Sequence, residues 1–533
     1  MFPLTPSEHS VSKPLFAYSR FALAAIILIA NVGLLQARAQ APVRSGASLP
    51  ALGDTSELTA SAERRLGDRI ASSIYRDPDY LDDPVLGDYL QGIWQPLMTA
   101  ARARGELGAE LDERFAWDVM LIRNRTVNAF ALPGGYLGVH LGLISVVESR
   151  DELASVLAHE LTHVTQRHIS RLMSKQNQQM PWLLAAMILG MLAASKNPDA
   201  ANAAIAGGQA MAVQNQLNFS RDMEREADRI GFGVMADAGY DRQGFATMFD
   251  KLQQASRLND NGSYPYLRSH PLTTERIGEA KSRLQLEGAA PSAGSVETSH
   301  ARVVHAMMAG RARVLGDSSV EALRRALAEA QGVSPAGAVL TPRDAGLLYA
   351  GTLAATRLRE PGQARSLVDR LKTAAAGSPS MARAVELLSL ETDIAGGRVA
   401  QAARLSSVNS RAAVLLQSQA DLAAGRPQEV SERLQTWVST HPRDAMAWQL
   451  LATAQGQQGQ TLRAIRADAE SRVAQLDYGA ARDRFKAAQD LMRSGRDTGS
   501  GASAHIDGSI IDTRTREIDQ LLREQALQEK LDR

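Results

Sequence analysis

The chain has 533 residues, with 59 Lys and Arg against 58 Asp and Glu for a net charge of +1. That balance argues against a dedicated nucleic-acid binder, which would carry a basic excess, so no nucleic-acid partner is expected. With no cysteine, Cys-ligated zinc fingers, iron–sulfur clusters, thiol catalysis, disulfide scaffolds and a lipid-modified N-terminal Cys are excluded. The length and the 44% hydrophobic, 22% charged composition fit a globular protein of several domains.

Residues 1–39 read as an export signal. Lys13 and Arg20 precede an apolar run at 21–35, and Ala37-Arg38-Ala39 gives a small-x-small cleavage pattern. The alternative is a membrane anchor, but the run is shorter than the roughly 20 residues that span a bilayer. Cleavage would remove Lys13, Arg20, Arg38 and Glu8, and leave a mature net charge of −1.

Residues 40–290 form the first expected domain. The stretch 54–105 reads as two helices broken at Asp77-Pro78 and Asp83-Pro84. Strands are expected at 117–122, 129–132 and 136–140, punctuated by Pro133-Gly134-Gly135. From 142 to 286 the pattern is helical, interrupted by an apolar insert near 181–213. Its segment 181–194 reads as a buried hairpin, a flap touching clients or a membrane surface peripherally, or an insertion. As a helix it would span about 21 Å, short of the roughly 30 Å hydrocarbon core. Residues 287–295 have linker composition.

Residues 300–495 are Ala-, Leu- and Arg-rich helical pairs whose second members should begin near Ala364, Ala400, Val430 and Ala464. Trp448, Leu451 and Ala452, followed by Ala464, match the tetratricopeptide template. A degenerate match also suits an unspecialised helical domain. Residues 496–508 read as flexible, within a C-terminal segment 496–533 that ends in a helix from about Thr513.

The chemistry sits in His159-Glu160-Leu161-Thr162-His163, within a helix expected at 152–173. A spacing of four puts both imidazoles on one face, where they can share an ion. Glu160 lies about 100° round from His159, able to reach a water without binding the metal. Zinc suits two imidazoles plus a carboxylate. His168 follows without the Gly of the metzincin pattern, so it reads as a helix-face or supporting residue. A second helix over 218–228 offers Glu224 and Asp228 one turn apart, with Glu226 as a competing ligand. Taken alone, these acids also suit a solvated face. Asp228 could orient a ligand imidazole or donate a proton. His270, before Pro271, would by itself be an incidental loop histidine.

Four stretches in order, Asn128-Ala129-Phe130-Ala131-Leu132-Pro133-Gly134-Gly135, His159–His163, 220–228 and Ser269-His270-Pro271-Leu272, resemble the gluzincin peptidases of family M48. The resemblance implies a mainly α fold with a small β-sheet: an α+β zincin-like metalloprotease domain followed by α-helical tetratricopeptide-like repeats. It implies one Zn2+ per chain on His159, His163 and Glu224 (in preference to Glu226), with Glu160 as the catalytic base and Asp228 as the accompanying catalytic carboxylate. His270 becomes a cleft residue that stabilises the oxyanion or plugs the open zinc position. The strand at 128–132 would border the cleft and accept an extended substrate at its edge; a core hairpin fits the same pattern. With the export signal and repeats, the resemblance implies a periplasmic endopeptidase. Its substrates would be unfolded or misassembled outer-membrane proteins, whose assembly it could assist, with the repeats docking on the assembly machinery. The rival is a non-catalytic periplasmic chaperone or adaptor with a structural zinc, but such a site would have no need of Glu160. The membrane-spanning members of the family carry long apolar helices, from which this chain departs.

Overall fold

The computed structural model of the protein describes residues 58–174, 220–257, 263–287, 296–334, 340–399, 404–494 and 502–531. The expected export signal, the apolar insert at 181–194 and almost all of the linker lie outside the described residues. The described residues all fall within one compact unit. It is mainly helical with one small mixed sheet, and none of its described helices is long and apolar enough to cross a membrane.

The sheet holds the order β1-β2-β4-β3, with β1 Tyr80–Leu81, β2 Asp118–Ile122, β3 Ala129–Leu132 and β4 Tyr136–His140. β2 and β4 run parallel in the register Asp118 to Tyr136 through Ile122 to His140. β3 returns antiparallel on β4, Ala129 opposite Val139. The hairpin and the sheet edge are therefore both present, because β3 is the outer strand. Its turn needs glycine twice, Gly134 at φ 74° and Gly135 at φ 85°. A Cβ on Gly134 would also stand 2.8 Å from the Cα of Arg64, where helix Ala60–Tyr75 crosses the turn. β1 has no sequence signal of its own. Two residues gain strand geometry only by pairing with Leu121 and Ile122.

The motif lies on helix Arg150–Thr165, started by Ser149, whose hydroxyl accepts from the Glu152 amide. Glu152 answers by accepting from the Glu148 amide. Every residue from Glu152 to Thr165 is buried. This is a central helix walled on all sides rather than an amphipathic surface one. The expected run to 173 does not hold. Arg167 adopts φ 53°, and a new helix starts at His168. The acids lie on helix Arg221–Asp237, capped by Ser220, whose hydroxyl accepts from the Met223 amide.

Beyond Val296 the described chain is a succession of helices, each packed on its neighbours. Helices Pro361–Ala375, Pro427–Thr440 and Thr461–Ala474 fall where second members of pairs were expected. The start expected near Ala400 lies outside the described residues; residues 404–410 are non-helical and the next helix starts at Arg411. Leu405 is buried instead, its amide held by the Gln417 side chain. The last helix, Ala502–Leu531, begins before the expected Thr513.

One hydrophobic cluster runs from Trp94, Leu137 and Leu157 in the sheet-bearing half to Met307, Leu348 and Ala412 in the helical half. Two arginines join the halves through adjacent acids. Arg311, 2% exposed, holds Asp83 by two hydrogen bonds and also pairs with Glu391. Arg411 bridges Asp82 and Asp444.

Candidate metal centre

Helix Arg150–Thr165 presents His159 and His163 toward helix Arg221–Asp237, which presents Glu224. The loop after Ser269 brings in His270. One donor atom from each of these four buried side chains lies within 4.8 Å of every other. His159 Nε2 is 3.0 Å from His163 Nε2, and each Nε2 is 3.5 Å from a Glu224 oxygen. His270 Nδ1 is 3.0 Å from Glu224 Oε1 and 3.4 Å from His159 Nε2. The Tyr266 ring stacks on His270 with centroids 4.5 Å apart.

Glu160 is fully buried, and neither carboxylate oxygen accepts a hydrogen bond. His270 Nε2 stands 3.4 Å from Glu160 Oε1. A buried carboxylate with no hydrogen bond is expensive. Its presence beside three imidazoles and a second carboxylate is what a metal site with an adjacent base requires. The donor set suits zinc, so the residues fit the metal that the sequence implied.

The expected residues are brought together, with one separation. Asp228 Oδ1 lies 3.0 Å from His159 Nδ1, positioned to fix that ring. Glu226 is turned away from the cluster and faces His168 and Arg171. His168 faces His163, Nδ1 to Nδ1 at 2.9 Å.

At His159, Glu224 and His163 burial opposes charge, and specific partners overturn it at the first two. Asp228 and Glu224 outweigh burial at His159 and bring its pKa to about 9. His270 and His159 outweigh it at Glu224, whose carboxyl falls well below the usual range. At His163 burial wins, helped by the neighbouring His159, and the imidazole is held well below its usual value.

Sequence reasoning missed Arg276, on helix Thr274–Glu287. Its Nη1 is 2.8 Å from Glu224 Oε2 and donates to the Pro271 carbonyl at 2.8 Å, and its Nε and Nη2 grip Asp228. No local sequence signal marks it: its burial, 5% exposed, appears only once helix Thr274–Glu287 packs, and an arginine buried there needs acidic partners.

Residues 91–284 match the sequence profile of peptidase family M48. Over 241 residues the chain is 31% identical to the beta-barrel assembly-enhancing protease of Escherichia coli (strain K12), covering 45% of this chain and 47% of that protein. The chain thus spans about half the length of that relative. The protein of the same name from Yersinia pestis is 27% identical over 79% of this chain and 83% of its own. The mitochondrial metalloendopeptidase OMA1 of Arabidopsis thaliana is 34% identical over 31% of each chain. The stretch 91–284 that matches this profile contains all four residues of the donor cluster, His159, His163, Glu224 and His270, together with Glu160.

Proposed function

We propose that the chain is an exported, zinc-dependent endopeptidase of envelope protein quality control. His159, His163 and Glu224 would hold one zinc ion. Bound there, the ion supplies a Lewis acid that polarises a peptide carbonyl and acidifies water. Glu160 takes a proton from the attacking water and delivers it to the nitrogen of the leaving amine. Asp228 and Arg276 hold His159 and Glu224 in place. The outer strand β3 offers main-chain groups to align an extended substrate.

The observation that carries this reading is the orphaned carboxylate of Glu160, buried beside the donor cluster. A structural zinc in a non-catalytic adaptor gives that carboxylate nothing to do. Zinc content and casein cleavage, compared between wild type and Glu160→Gln, test it. The variant should keep zinc and lose cleavage by about 10²–10⁴-fold. Wild-type cleavage by the variant would overturn the reading.

The cellular role rests on likeness to proteins named beta-barrel assembly-enhancing proteases. By that likeness we assign a periplasmic location, misassembled outer-membrane proteins as substrates, and a part in their assembly. Helices from Val296 onward, read as tetratricopeptide-like repeats, would dock on the assembly machinery, since stacked helical pairs form extended binding surfaces. Osmotic-shock fractionation, with N-terminal sequencing of the recovered protein, tests the location. A mature chain starting near residue 40 is expected.

A further inference from the structure

We propose that His168 is a positioning residue of the metal centre: it sets the tautomer of His163 and takes its own from Glu226. The proposal rests on the metallopeptidase reading above and deepens it.

Glu226 Oε2 lies 3.0 Å from His168 Nε2 and accepts from Arg171 Nη1 at 2.9 Å. An ionised carboxylate only accepts, so the hydrogen between Glu226 and His168 sits on the ring nitrogen. Neutral His168 then has its lone pair on Nδ1. That atom is 2.9 Å from His163 Nδ1, a distance that holds one hydrogen between two nitrogens. The hydrogen therefore belongs to His163 Nδ1, and the His163 lone pair is left on Nε2. Nε2 is the atom inside the donor cluster, 3.0 Å from His159 Nε2 and 3.5 Å from Glu224 Oε1. A metal ligand needs that lone pair in that place.

The backbone explains why an imidazole rather than an acid does this. Glu226 is two residues from Glu224, about 200° round the same helix, so it cannot reach into the cluster. His168 spans the gap. Had helix Arg150–Thr165 continued, a residue five beyond His163 would lie about 140° away from it. The positive φ of Arg167 breaks the helix and returns His168 onto His163. Helix Arg221–Asp237 thereby orients both ligand imidazoles, His159 directly through Asp228 and His163 through the His168 ring. The Glu226 and Arg171 side chains are 29% and 37% exposed, so a residue at the protein surface controls a ligand at its centre.

The test uses the full chain. In metal-free protein labelled with 15N-histidine, long-range proton–nitrogen correlations should report His163 protonated at Nδ1 and His168 at Nε2. Glu226→Ala should mix both tautomers. Asp222→Ala removes the same charge from an exposed site on the same helix and should change neither. Zinc affinity, measured by chelator competition, should fall about 10-fold in Glu226→Ala and up to about 100-fold in His168→Phe. His168→Asn, which keeps an acceptor facing His163, should restore most of it. His163 protonated at Nε2 in the wild type would overturn the proposal. Wild-type zinc binding that neither Glu226→Ala nor His168→Phe weakens would overturn it alone. A wild type that binds no zinc would overturn the metallopeptidase reading and this proposal with it.

Discussion

Arg276 holds Asp228 through two hydrogen bonds, Nε to Oδ2 at 2.7 Å and Nη2 to Oδ1 at 2.9 Å, while the same guanidinium reaches Glu224. One buried cation thus answers two carboxylates that face the metal cluster. Removing it leaves the two acids to share the imidazoles of His159 and His270 before any metal arrives. Arg276→Ala should destabilise the metal-free protein by about 3–5 kcal/mol, read by urea unfolding with a chelator present. A variant as stable as wild type would show that the pairing carries no stability.

Asp228 also fixes the His159 ring, with Oδ1 3.0 Å from Nδ1. Asp228→Asn keeps the shape but can present an amide N–H where His159 needs an acceptor. Zinc affinity should fall about 10–100-fold, and the fold should survive. Undiminished affinity in a competition assay would reassign Asp228 to a role outside ligand orientation.

Asp83 and Arg311 give a stability prediction away from the metal. Burial disfavours the Asp83 carboxylate, but the Arg311 guanidinium outweighs it and lowers the pKa below the ordinary value. A depressed folded-state pKa means stability that is complete above the unfolded value of about 3.9. That stability is lost as pH falls through the folded value. Arg311→Met should cost about 3–5 kcal/mol at pH 7 by stranding Asp83, and the loss should shrink below pH 4. A pH-independent penalty would mean the cost is packing alone.

The motif residues were legible because their geometry is local. A spacing of four on one helix fixes His159 against His163, and Glu224 against Asp228, whatever surrounds them. Arg276 was not legible, because its partner Asp228 is 48 residues distant in the chain and pairs only once two helices cross. The break at Arg167 carries no Gly or Pro to announce it, so the sequence read one helix where there are two. A repeat spacing predicts a helix from near Ala400, but residues 404–410 are non-helical, and the buried Leu405 is tied there by its amide to the Gln417 side chain. β1 exists only through its partner strand.

The linker composition of 287–295 implied that a cut there would leave a folded peptidase. Packing argues otherwise. Helix Val296–Gly316 inserts Val303, Met307 and Leu315 into the same cluster as Trp94 and Leu157. Its His305 meets Tyr89 at 2.6 Å and the Val147 carbonyl, two residues ahead of the Ser149 cap, at 2.8 Å. Truncation after residue 290 should therefore expose core and abolish cooperative unfolding, as followed by circular dichroism. A truncated protein with a sharp transition would show that the peptidase half folds alone.

The last prediction concerns His270, which stands in the donor cluster as a fourth candidate ligand. It is 2% exposed, stacked on Tyr266 and tied to the backbone that Arg276 grips at Pro271. A side chain held this way would, as a fourth ligand, leave no place for water or substrate at the metal. Glu160 then has a donor cluster beside it but no water to deprotonate. The protein should accordingly be purified in a form of low activity, and His270→Ala should raise cleavage of an unfolded substrate at saturating zinc. The opposite role, donation to the oxyanion, predicts a fall of about 10²–10³-fold. The distances favour closure, since His270 Nδ1 sits 3.0 Å from Glu224 and Nε2 3.4 Å from Glu160, among the groups that would flank a reacting water. Parallel zinc titration separates the two roles further. A plug that is also a ligand should weaken zinc binding when removed even as turnover rises, whereas an oxyanion donor should leave affinity unchanged while turnover falls.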